Sequence, residues 1–208
     1  MDLSTILSLV ALGVSSATAW FSIFHRGSVQ MTHPSFIALL KGDGPNPNLP
    51  KIFLRTLLYT TGKRGQALEH MFIKIHQGGR SQTFPFWGSG ETTQLTIGSG
   101  IFIGPDGHAA NHHFLLPEDC ESFEFTPGAL AIEIYGSVAR NWTPRLLCKL
   151  DLFVPEDQVN AFNENPHNAV FFTWNPDEEK YHSRIDERPP KRRTHSVSGS
   201  GHGPFFFE

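Results

Sequence analysis

The chain has 208 residues, of which 39% are hydrophobic and only 18% charged. That balance excludes a disordered protein and leaves room for one ordinary domain. The formal net charge of −3, with no basic stripe interleaved with aromatics, sets nucleic acid aside as a partner, and 18 Phe beside 19 Gly and 15 Pro favour β structure with many turns.

Residues 1–26 read as a transmembrane anchor. Leu3 to Phe24 carries no charge and as a helix is about 33 Å long, which matches a hydrocarbon core of about 30 Å. Trp20, Phe21 and Phe24, followed by His25 and Arg26, form the aromatic and basic belt expected at an interface. The competing reading is a signal peptide cleaved after Ala17-Thr18-Ala19. Against it, no basic residue precedes the apolar run, which also continues past the cleavage point. Arg26 and Lys41 lie on the C-terminal side, so the positive-inside tendency predicts a cytoplasmic main domain.

Ser4, Ser8, Ala11, Ser15, Thr18 and Ser22 recur at alternating spacings of four and three and fall on one seam of that helix. Small, hydroxyl-bearing side chains let membrane helices approach and bond, so the seam suits self-association into a homo-oligomer or pairing with another helix. The alternative is that the hydroxyls bond back to their own backbone.

Residues 27–174 read as one β-sandwich domain. Gly42 to Pro47, Gly78-Gly79, Gly88-Ser89-Gly90, Gly104 to Gly107 and Pro127-Gly128 are turn signals. Period-two alternation marks strands between them. Ile52, Leu54 and Leu58 oppose Phe53, Arg55, Leu57 and Tyr59; Met71, Ile73 and Ile75 oppose Phe72, Lys74 and His76. Leu130, Ile132 and Ile134 alternate with Ala131, Glu133 and Tyr135, and Cys148, Leu150, Leu152 and Val154 with Lys149, Asp151 and Phe153. With Ser35 to Lys41, Leu95 to Ile103 and Phe123 to Phe125 the count approaches seven, and an antiparallel sandwich is the expected architecture. After Pro155, Glu156 to Phe162 predicts one or two helical turns, and Ala169 to Trp174 a short apolar run packed on the sandwich or its edge. Residues 175–208 turn charged and then Ser/Gly-rich and are expected to be disordered.

From Phe125-Thr126-Pro127-Gly128 through Leu130 to Tyr135 and on to Val154, the chain resembles the closing strand pair of immunoglobulin-like and fibronectin-like sandwiches. Ala129, Leu130 and Ala131 stand where those domains carry a tyrosine. The resemblance implies an architecture used mostly for recognition and spacing. The run Phe53 to Tyr59 with Lys63-Arg64-Gly65 and Asn111-His112-His113-Phe114, behind a membrane helix, is similar to a group of uncharacterised bacterial membrane-anchored proteins. That likeness implies no activity.

Candidate chemistry is sparse. His108, His112 and His113 are the weak candidates for a metal site and for a metal-dependent enzyme, but their flanks read as loop and strand and no glutamate sits in a metalloprotease arrangement. No nucleophile elbow, phosphate loop or dinucleotide fingerprint is present. Cys120 and Cys148 lack zinc or redox spacing and read either as two free thiols or as one bridge. Glu118, Asp119 and Glu121 around Cys120 oppose thiolate formation. The expectation is therefore no enzyme and no cofactor. Two sets of residues are the candidates for partner contacts: Lys63 and Arg64, suited also to anionic headgroups, the alternative being a simply solvated pair, and Phe84, Phe86 and Trp87 in the aromatic segment around Pro85, for which burial in the sandwich is the favoured alternative. The resulting functional expectation is a single-pass membrane protein presenting a binding or scaffolding module to another protein, the alternatives being that enzyme or a structural envelope subunit.

Overall fold

The computed structural model describes residues 2–24, 27–41, 49–91, 94–98, 100–117, 120, 123–139 and 141–187. The expected turn Gly42 to Pro47, the belt residues His25 and Arg26, the acidic residues around Cys120 and the tail from residue 188 onward lie outside them.

The chain opens with helix α1 (Leu3–Ala19), which continues into a π-helical turn (Trp20–Phe24). None of the residues of α1 is buried. Among the described residues Leu3–Ser22 is the one span long and apolar enough to cross a membrane, with a mean hydropathy of 1.5; a signal sequence meets the same criteria.

The domain is mainly β and antiparallel, as the alternation predicts, but it holds twelve strands among the described residues where about seven were expected. Strands β1 (Val29–Met31), β2 (Phe36–Lys41) and β3 (Pro50–Thr60) come first, then β4 (Gln66–Gln77) and β5 (Arg80–Ser89). The short β6 (Thr96–Ile97) and β7 (Ile101–Ile103) precede β8 (His108–Leu115), β9 (Gly128–Val138) and β10 (Asn141–Val154). Helix α2 (Glu156–Glu164), β11 (Ala169–Asn175) and β12 (Lys180–Asp186) close the fold.

The strands form one sheet in the order β10-β9-β4-β5-β8-β3-β2-β11-β12. Its curl comes from β5, which pairs with β4 through Arg80–Pro85 and with β8 through Phe86–Ser89. The register slips between Phe86 and Gly88, and Pro85, which has no N–H to give, sits beside the slip, where a strand tolerates it. A Cβ on Gly88 would lie 2.8 Å from the Thr96 carbonyl oxygen, so only glycine lets β6 close on β5 there.

Beyond that crossing the inward residues of both halves join one core. Ile73, Ile75, Ile132, Ile134 and Leu150 from one half share it with Ile37, Leu39, Ile52, Leu54 and Phe114 from the other. Phe123 and Phe125, expected as a strand, are instead an irregular segment that fills the core with edge-to-face rings. The Gln77 amide bonds both the N–H and the carbonyl of Thr126 and so holds that segment against the end of β4. Both cysteines are free thiols.

Residues 175–186 are not tail. β12 pairs with β11 along its length, and Tyr181 donates its hydroxyl to the Pro34 carbonyl at 2.6 Å. Its charged residues mislead by composition, because Lys180, His182 and Arg184 occupy the solvent-facing positions of an edge strand while Tyr181 and Ile185 pack on the core. Helix α2 lies against β11 and β12 and buries Val159 and Phe162.

Phe84 is wholly buried, its ring edge-to-face with Phe123. Phe84→Ala should therefore lower the unfolding free energy by about 3–5 kcal/mol in urea melts of the detergent-solubilised chain. A loss below about 1 kcal/mol, the range of a surface substitution, would contradict its place in the core.

Candidate docking surface

Of the residues expected to contact a partner, Phe84 is corrected to a core residue: β5 is a strand, not a loop, and its alternation turns Phe84 inward. Phe86 is half-buried, packed against Phe114 at 5.8 Å and His112 at 6.1 Å. Trp87 is also half-buried, with the Lys51 ammonium 5.6 Å above its ring. Lys63 and Arg64 are exposed in the turn joining β3 to β4.

The three histidines lie on β8 and do not converge. Antiparallel pairing sets His112 opposite Leu54 and His108 opposite Leu58, both on the interior side, whereas His113 is opposite Phe53 on the outer face. The His108 and His112 ring centroids are 6.1 Å apart. Among the described residues no group of three or more His, Cys, Asp or Glu side chains is placed to hold a metal ion.

His113 donates from Nε2 to the Gly90 carbonyl at 3.2 Å and meets Phe53 edge-on. Burial lowers its pKa. His112 is fully buried, and neither ring nitrogen bonds to a described protein group. Burial, reinforced by His108 and His113, pushes its pKa down to about 3. Burial likewise raises the Cys148 thiol to about 11, which makes it inert as a nucleophile at neutral pH.

In α1, the Ser8 hydroxyl donates to the Ser4 carbonyl at 2.9 Å and that of Thr18 to the Val14 carbonyl at 2.8 Å. Those two seam hydroxyls are thus used by their own helix, while Ala11 and Ser15 lie exposed on it. Ser22 falls in the wider π-helical turn.

The outer face of β10, β9 and β4 carries the most developed surface arrangement. Glu133 stands at its centre. It accepts the Tyr135 hydroxyl at 2.8 Å and lies 3.4 Å from both His76 Nε2 and Lys149 Nζ. The hydrogen bond from Tyr135, then those from Lys149 and His76, hold the Glu133 carboxyl below its ordinary pKa. Tyr135 stacks on Phe72 at 5.2 Å, and the Lys74 ammonium lies 5.6 Å above the Tyr135 ring.

Toward the β4–β5 turn, Ala129 and Ala131 floor a cleft of about 340 Å³ walled by His76, Arg80 and Asp151. Leu146 and Phe153, exposed by 50% and 64%, flank this face at positions paired with Tyr135 and Ala129. Among the described residues β10 is hydrogen-bonded as a strand only to β9; β1 and β12 come near it without pairing, and Gly27 to Gln30 face Thr143 to Leu147 across a cleft. Sequence reasoning identified Glu133, Tyr135 and Phe153 only as the outward half of an alternation, because nothing local signals that their strands are neighbours.

The sequence matches no family model and no curated protein. Among solved structures, that of Spo0M, a sporulation control protein from Bacillus subtilis, aligns over 70% of this chain and 66% of its own length, at 10% identity and a TM-score of 0.30. The chain thus spans just under two thirds of that protein.

His112 supplies a test by pH. Its folded pKa is depressed, so the unfolded chain binds the extra proton first; stability is fully present above the ordinary value of 6.5 and lost as pH falls toward about 3. The loss attributable to His112 is on the order of 5 kcal/mol, read as urea midpoints between neutral and acid pH. His112→Leu should flatten this profile, and an equally steep profile in the variant would contradict the assignment.

Proposed function

We propose that this chain is a single-pass membrane-anchored binding module that presents its β domain on the cytoplasmic side and docks another protein on the outer face of β10 and along its unpaired edge. The observation that carries the reading is the unpaired edge of β10 among the described residues, bordered by exposed Leu146 and Phe153. Exposed strand edges template pairing with an added strand, whose main chain supplies affinity while neighbouring side chains supply selectivity. Phe153 and Leu146 fit as apolar anchors, and the Glu133, Lys149 and His76 group as a polar rim beside them. The opposite edge strand, β12, presents Lys180, His182 and Arg184 to solvent instead, a composition that discourages strand addition. Helix α1 supplies the tether, and its long apolar span supports insertion in the bilayer.

A photocrosslinking amino acid placed at Phe153 or Leu146 of the full chain in native membranes should yield a discrete protein adduct, and one at His182 none. Phe153→Lys, at an exposed site where stability should change by no more than about 0.5 kcal/mol, should abolish the Leu146 adduct. Equal labelling at all three positions, or an adduct indifferent to Phe153→Lys, would overturn the reading.

A further inference from the structure

The end of the domain from which the anchor leaves has a composition of its own. Ser28 donates its N–H to Thr61 Oγ1 at 2.8 Å and accepts the Thr61 N–H on its carbonyl at 3.0 Å. A Cβ on Gly27 would lie 2.3 Å from the Gly62 nitrogen, so only glycine lets the chain press this closely on the β3–β4 turn. From Phe24 to Gly27 is three residues, a reach of about 11 Å at most. A bilayer adds about 5–8 Å of headgroup layer on each side of its hydrocarbon core. If α1 spans that core, the β3–β4 turn is confined to the headgroup region or its immediate border.

The residues at this end suit that position. Lys63 and Arg64 are exposed in the turn, and Phe102, 69% exposed, lies over it, its ring so close to Gly65 that a Cβ there would meet it at 2.4 Å. A cleft of about 440 Å³ lined by Gly27, Ser28, Val138, Asn141 and Arg145 brings the β9–β10 hairpin beside the tether. Trp142, the residue after Asn141, is 68% exposed, its ring tilted at 40° to the His70 ring 5.1 Å away. The cations Lys63, Arg64 and Arg145 are exposed at this end, where the described carboxylates are Asp106 in the β7–β8 turn and the half-buried Glu69 near the start of β4. Aromatic rings beside lysine and arginine are the side chains that settle at an anionic interface.

We infer that this end is a membrane-contact surface, in which Phe102 and Trp142 rest at the headgroup level and Lys63, Arg64 and Arg145 engage the acidic lipids of the leaflet that α1 enters. The inference rests on the membrane-spanning reading of α1. It gives the domain a fixed pose: β10 runs from Trp142 at the bilayer to Phe153 about 35 Å away, so the β10 docking edge projects outward from the membrane.

The test uses the full chain in vesicles of phosphatidylcholine and phosphatidylglycerol containing a nitroxide lipid labelled near the headgroup. One variant keeps Trp142 as its only tryptophan, with Trp20, Trp87 and Trp174 replaced by Phe. A second carries Phe153→Trp, with all four native tryptophans replaced by Phe; far-UV circular dichroism checks that both fold. Trp142 emission should be quenched and that of the residue-153 tryptophan should not, and Lys63→Glu with Arg64→Glu should relieve the Trp142 quenching. A chain that floats with the vesicles while both positions quench equally, or with quenching unchanged by the charge reversals, overturns the contact surface alone. A chain that fails to float overturns the spanning reading of α1, and the inference with it.

Discussion

The fold depends on one strand serving two partners. β5 gives its first half to β4 and its second half to β8, so a sheet that would otherwise be broad and open curls until its inner faces meet. Without that transfer, the aliphatic rows on β4, β9 and β10 would face water opposite nothing. With it they close on β2, β3 and β8 in a single core. Phe84 and Phe86 bracket the crossing, one in the core and one half-buried against β8, which explains why an aromatic-rich segment that reads like a contact loop is the joint of the structure.

How much of this was legible varied by strand. Where one face meets the core and the other water, as in β3, β4, β9 and the second half of β10, alternation alone located both the strand and its inward side. β8 escaped because its interior carries His108 and His112, polar residues where the pattern demands apolar ones; placed opposite Leu58 and Leu54, they are desolvated rather than solvated. β5 was hidden by Pro85 and by the Gly88 to Gly90 turn signal, and β12 by the charges that protect an edge. No sequence period reveals which strands are neighbours, so the Glu133 group, assembled from β4, β9 and β10, was beyond reach. The α1 seam was visible as a spacing, yet part of its hydroxyl content is consumed inside the helix.

The two ends of the domain differ in a way that joins location to recognition. At the tether end the chain is pinned by the Ser28–Thr61 hydrogen bonds, and exposed rings stand beside cations, which matches a headgroup layer. Farther along β10, the unpaired edge and the cleft lined by Ala129 and Ala131 are the surface on which the proposed protein partner would dock. In the proposed arrangement these properties depend on each other, because a short tether between a membrane-spanning α1 and the domain would hold one end at the bilayer and direct the β10 edge away from it.

Everything proposed about orientation and docking depends on whether α1 stays on the chain. The most direct measurement is the intact mass of the protein isolated from membranes of cells producing it in full length. A membrane-spanning α1 predicts a mass that retains Leu3 through Ser22, in protein that resists carbonate extraction; a mass for a chain beginning after Ala19, with the protein freed by carbonate, would contradict it.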